Sequence, residues 1–76
     1  MLTAQKAIVL ARKARTICDG DYSLYVRYSG RGMCGALSPL AFQTTVDPHA
    51  QDGAKLRALG FLVDSLGTGW IYYLPG

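Results

Sequence analysis

The sequence predicts an α+β fold of order α-β-β-α-β-β, with a four-stranded, mainly antiparallel sheet and two helices on one face. Three observations point there. Residues 3–17 repeat apolar side chains at the helical period, residues 22–29 alternate at the strand period, and each half of the chain joins a helix signal to a Gly-x-Gly turn signal.

The first helix is expected over residues 3–17, "TAQKAIVLARKARTI", with Thr3 as its N-cap. Ala4, Ala7, Leu10, Ala11, Ala14, Ile17 and Cys18 gather on one arc, while Gln5, Lys6, Arg12, Lys13 and Arg15 spread over the other side. An arc built mainly of alanine lets a helix lie close to a sheet. "CDGD" supplies the turn chemistry that ends it.

In "YSLYVRYS", 22–29, Tyr22, Leu24, Val26 and Tyr28 face one way and Ser23, Tyr25, Arg27 and Ser29 the other, which predicts a half-buried strand. "GRG", 30–32, offers the positive-φ positions of a hairpin, and "MCGAL" then reads as a short return strand with Gly35 as a bulge or packing glycine. "SPLAFQTTV", 38–46, fits a connection with one helical turn opened by Ser38 and Pro39, although "QTTV" is strand-like.

The second helix is expected over 47–59, with Asp47 as N-cap, Pro48 at the first helical position, Gly60 as the left-handed terminator and Phe61 touching Leu56. Gly53 weakens it by up to ~1 kcal/mol relative to alanine. "FLVDSLGTGWIYYL" predicts a closing hairpin about Gly67-Thr68-Gly69, its second arm apolar enough for a central strand. The two Gly-x-Gly turns hint at an internal duplication.

Length and composition bound the function. A chain of 76 residues fits one domain, 1–76. Half of the residues are hydrophobic and 17% are charged, a globular balance that excludes disorder. No apolar run approaches the ~18 residues of a membrane-spanning helix. "AIVLA" is too short for the core of a secretory signal. Two cysteines fall short of a disulfide framework, so Cys18 and Cys34 are expected as free thiols in a reducing, cytoplasmic setting.

The motifs that carry chemistry are incomplete. Gly30, Gly32 and Gly35 match the G-x-G-x-x-G spacing of dinucleotide sites, but Pro39 would disrupt the helix that must open at the third glycine, and Asp47 comes too early for the ribose contact. One histidine, His49, with Cys34 and an aspartate does not make a catalytic constellation in so short a chain. No C-x-x-C, H-x-x-x-H or calcium-loop pattern occurs. The chain is therefore read as non-enzymatic, with no cofactor and no metal.

What stands out is charge segregation. The net charge is +3, and Lys6, Arg12, Lys13 and Arg15 lie in the first 18 residues, where no acid occurs. Arg12, Lys13 and Arg15, with Tyr25 and Arg27 on one face of the strand, are the candidate partner-binding residues. An acidic protein surface is the favoured partner. The alternative is a small basic nucleic-acid-binding domain, either sheet-based through its aromatics or winged-helix-like, with residues 47–61 as recognition helix and the last hairpin as wing. A homodimer that buries the aromatic face is compatible with either. Size and type fit a small accessory or inhibitor protein such as phages and other mobile elements encode, anti-CRISPR inhibitors among them, though no motif carries a resemblance to one family.

Overall fold

The computed structural model describes residues 3–30, 33 and 35–75. Its elements are α1 (Ala4–Cys18), β1 (Ser23–Leu24), β2 (Ala41–Thr44), α2 (Gln51–Ala58), β3 (Leu62–Leu66) and β4 (Gly69–Tyr73). The strands form one antiparallel sheet in the order β1-β2-β4-β3. This is the expected α-β-β-α-β-β arrangement.

Local chemistry sets α1. The Thr3 hydroxyl accepts the Lys6 backbone N–H at 3.1 Å, satisfying one of the donors that a helix start leaves open. At the other end Asp19 turns left-handed (φ 50°) and donates its N–H to the carbonyls of Arg15 and Thr16. Ala14 and Cys18 are buried, with Leu10, Ala11 and Ile17 packed beside them.

Strand register sorts the sheet into two faces. Phe42 stands opposite Leu24 on one side and Tyr72 on the other, and Tyr72 stands opposite Val63. Phe42 and Tyr72 meet Ala14 and Cys18 of α1 and Leu56 of α2, so both helices cover this face. Phe42 is its hub: its ring stacks on Tyr22 (centroids 4.7 Å apart) and Tyr72 (5.4 Å) and meets the edge of Phe61 (5.2 Å). Ala41, Ile71 and Tyr73 point the other way and form a second core with Met33, Tyr28 and Leu66. Tyr28 and Met33, from the chain between β1 and β2, thus cover part of the face that the helices leave bare.

That connection corrects the expected strand over 22–29, which is regular only at Ser23–Leu24. Tyr25 still donates its N–H to Ala41 O (2.9 Å), but Arg27 then adopts φ 64° and breaks the extended run. Tyr28 therefore does not share a face with Tyr22 and Leu24. It packs on Tyr73 (5.0 Å) and donates its hydroxyl to Asp64 Oδ2 at 2.6 Å. Val26 stays 71% exposed. Burying one tyrosine over the far face outweighs the local alternation.

Arg31, Gly32 and Cys34, on which the expected "GRG" hairpin and part of the return strand fall, lie outside the described residues. Gly30 is not left-handed; it lies flat on the Tyr73 ring, where a Cβ would stand 2.4 Å from ring carbons. Met33 and residues 35–37 form no strand, and no helix opens after Gly35 among the described residues. The return strand is β2, inside the stretch read as a connection. Ser38 does not cap a helix either. Its hydroxyl proton is shared between the carbonyls of Leu74 (2.7 Å) and Leu40 (2.8 Å), which fixes the entry to β2 against the exit of β4.

The second helix is shorter than expected. Asp47 does not cap it: its carboxylate accepts the His49 N–H (2.8 Å) and its carbonyl the Ala50 N–H (3.0 Å), closing a separate turn. Ala50 becomes the N-cap, with no side-chain bond. Gly53 has a packing reason. A Cβ there would stand 2.1 Å from Asp47 O and 2.6 Å from Pro48 Cα, because the turn folds back onto the helix. Gly60 is left-handed (φ 107°) as expected, and Leu56 and Phe61 share the core. The closing hairpin also forms, with Gly67 (φ 56°) and Thr68 as its two turn residues and Gly69 opening β4.

Cys18 is a free, buried thiol. Among the described residues no helix is long and apolar enough to cross a membrane.

Two stability predictions follow from this packing. Alanine normally strengthens a mid-helix glycine position by up to ~1 kcal/mol. Gly53→Ala should instead cost about 1–3 kcal/mol, the scale of overpacking, read as a lower urea midpoint with unchanged slope. A stabilised variant would mean that the Pro48 turn yields freely.

The second concerns Tyr72, whose phenol burial pushes from its usual value near 10.0 up to about 12. The fold favours the neutral phenol, which donates to Val46 O at 2.8 Å. This contribution is complete below pH 10.0 and is lost as pH rises toward about 12. Unfolding temperature should fall across that window, and Tyr72→Phe should flatten the fall while costing about 1 kcal/mol at neutral pH through the lost hydrogen bond. An equally steep alkaline loss in Tyr72→Phe would assign the effect to other groups.

Candidate interaction surface

Four large apolar side chains stand in water along one border of the molecule: Ile8 (52% exposed), Leu24 (61%), Tyr25 (38%) and Val26 (71%). Their position follows from topology. β1 is an edge strand only two residues long, so nothing pairs beyond it. Ile8 lies on the flank of α1 nearest that edge, just outside the alanine arc. Together these side chains make the run a candidate contact surface.

Arginines frame the run. Ile8, Ala11, Arg12 and Arg15 of α1 face Tyr22 and Leu24 across an open depression of about 350 Å³. Leu24 also walls a smaller depression, about 160 Å³, with Tyr25, Val26 and Arg27. Among the described residues the one ion pair is Lys55–Asp52, at 3.7 Å and largely in solvent. The guanidinium groups of Arg12, Arg15 and Arg27 are therefore free to meet a partner's carboxylates. Tyr25 rests edge-on against Tyr28 (5.7 Å), which limits the freedom it would lose on binding.

The residues expected from the sequence divide into two groups. Arg12 and Arg15 meet Tyr25 and Arg27 through Leu24, forming one continuous border. Lys13 points to the other flank of α1. There Arg12, Lys13, Thr16 and Ile17 face Lys55, Ala58 and Leu59 of α2 across a groove of about 570 Å³. Sequence reasoning missed Ile8, Leu24 and Val26. Ile8 carried a signal, since it falls off the apolar arc yet is not polar. Leu24 carried none, because its alternation reads as burial and only the sheet order puts it at an edge.

Reactive chemistry is sparse. Burial pushes the Cys18 thiol up, away from the thiolate that a nucleophile needs. His49 is exposed, in the turn before α2. Among the described residues no three His, Cys, Asp or Glu side chains gather as a metal site. The other edge strand, β3, is guarded, for Asp64 Oδ1 takes the Ser65 N–H at 3.0 Å.

Comparison with protein-family models, curated proteins and solved structures finds no match.

Proposed function

We propose that the protein is a non-enzymatic binding protein, an accessory or inhibitor protein that acts by occupying an acidic surface of another protein in the cytoplasm. One observation carries the reading: an exposed apolar run, Ile8–Leu24–Val26, bordered by Arg12, Arg15 and Arg27, none of them in an ion pair among the described residues. Apolar anchors beside arginines are the composition of protein–protein interfaces. The free thiol of Cys18 suits a reducing compartment. Size and type suit the small inhibitors of phages and other mobile elements.

The nucleic-acid reading has less support. Phosphate contacts favour polar and basic side chains, and Ile8, Leu24 and Val26 offer them nothing. A wing must project, whereas β4 lies between β2 and β3. A sheet-based reader needs open aromatics, whereas Tyr28 and Met33 lie over Tyr73. The same cover argues against a homodimer through that face.

Affinity capture from the native host tests the proposal. Arg12→Glu with Arg15→Glu should slow association and weaken its salt dependence. Leu24→Asp should weaken binding roughly tenfold or more, about 1.4 kcal/mol, and Lys6→Glu should leave it unchanged. Full capture by both altered proteins would overturn this surface. In parallel, random duplex DNA at two salt concentrations should give no binding. Saturable binding whose logarithm falls by about 0.9 per phosphate contact per decade of salt would establish the nucleic-acid reading instead.

A further inference from the structure

Lys13 remains unexplained by the β1 border, and so does the larger groove beside it. We infer that the groove between α1 and α2 is a second docking site, which receives an amphipathic helix of a protein partner, apolar along one ridge and acidic along its flanks. The inference rests on the reading that the partner is a protein, and adds to it the kind of segment the partner must present.

The floor is apolar. Ile17 and Leu59 are half-buried, their inner sides packed on the core under the helices, and Ala58 lies open between them. The walls are cationic: Arg12 and Lys13 on α1, Lys55 on α2, all exposed, with no acid in the lining. Asp52 is the nearest competitor. It reaches Lys55 at 3.7 Å, but more than half of each side chain lies in water, and such a pair contributes only ~0.2–1 kcal/mol. An incoming carboxylate displaces it at little cost.

The geometry selects a helix. Both walls are helical and no strand edge borders the groove, so an extended peptide would find at most the last few helix carbonyls to bond. An occupant must satisfy its own backbone while burying side chains, which a helix does. Lys13 and Ile17 lie one turn apart on one wall, and Lys55 and Leu59 one turn apart on the other. A groove little more than one turn long takes two apolar side chains at i and i+3 or i+4 spacing, with acidic side chains on both flanks within reach of the cations.

The test is an NMR titration with defined peptides. The probe is a synthetic helix of about 14 residues, long enough to be helical when bound, with leucines at i, i+3, i+4 and i+7 and glutamates on both flanks. One matched peptide carries lysine for glutamate, another glutamine for leucine. The expected result is saturable shifts of the Ile17 and Leu59 methyl signals with the acidic amphipathic peptide alone, about tenfold weaker in the protein carrying Lys13→Glu and Lys55→Glu. Both lysines are exposed, so the folded spectrum should persist. No shift at these methyls, an equal response to the lysine peptide, or shifts confined to Ile8 and Leu24 would each overturn the inference. Its failure is separable from that of the proposed function. The titration reads Lys13, Lys55, Ile17 and Leu59, whereas the capture experiment reads Arg12, Arg15 and Leu24, and its Leu24→Asp arm touches no residue of the groove. Groove shifts produced equally by random duplex DNA would overturn both.

Discussion

The fold depends on the ring of Phe42. It is wholly buried, and each neighbour it touches belongs to a different part of the chain: Tyr22 leads into β1, Tyr72 sits in β4 and Phe61 leads into β3. Each such ring pair contributes about 0.5–1.5 kcal/mol beyond its buried area. The bulk lies on the sheet, and α1 adds the small Ala14, wholly buried, to the same core. This division of volume, aromatic below and alanine above, brings α1 down onto the sheet. It also sets the border. Tyr22 reaches inward to Phe42, while Leu24, two residues on and opposite Phe42 in register, has no strand beyond it and stays in water.

The second face shows why the tyrosines are not the contact surface that their number suggests. Tyr28, Tyr73 and Met33 cover each other, Gly30 lies flat on Tyr73, and Tyr28 is tied to Asp64. Tyr28, Gly30 and Met33 thus lie as a partial third layer on the sheet. Exposed apolar surface is thereby shifted from the sheet face to its edge, where Tyr25 and Val26 stand in water.

How much of this the sequence reveals depends on how local each cause is. α1 is legible because Thr3, the alanine arc and the "CDGD" turn act within a few residues of each other. The closing hairpin is legible for the same reason, through Gly67. β2 is not, because what makes Ala41–Thr44 a strand is pairing with β4, some thirty residues away in sequence. Asp47 misleads because one carboxylate serves a helix cap and a tight turn equally well, and the close approach of Pro48 to Gly53 decides between them. Of the site, the basic half is visible in the sequence as charge segregation. The apolar half needs the sheet order. That order, with β2 and β4 central and β1 and β3 outside, is also the pattern that two α-β-β units joined about a two-fold axis would produce, which gives the repeated turn signal a topological counterpart.

The electrostatic character of the surface comes from an unequal division of labour between acids and bases. Asp21 accepts both the backbone N–H and the hydroxyl of Thr45, which hold its carboxyl below the usual range. Asp47 closes the turn before α2, Asp64 holds Tyr28 and Ser65, Asp52 faces Lys55, and Asp19 turns the chain after α1. The carboxylates of Asp21, Asp47 and Asp64 thus serve the fold. Of the described bases, Arg57 bonds Pro48 O and Lys55 faces Asp52, whereas the side chains of Lys6, Arg12, Lys13, Arg15 and Arg27 have no hydrogen bond or ion pair. A net charge of +3 understates the basic character of α1, whose Lys6, Arg12, Lys13 and Arg15 are exposed and carry no ion pair among the described residues. This charge flanks three depressions beside α1, each lined by Arg12, and one of them, of about 520 Å³, also holds Asp19. Arg12 therefore belongs to both the β1 border and the α1–α2 groove, so that Arg12→Glu would change the charge of both.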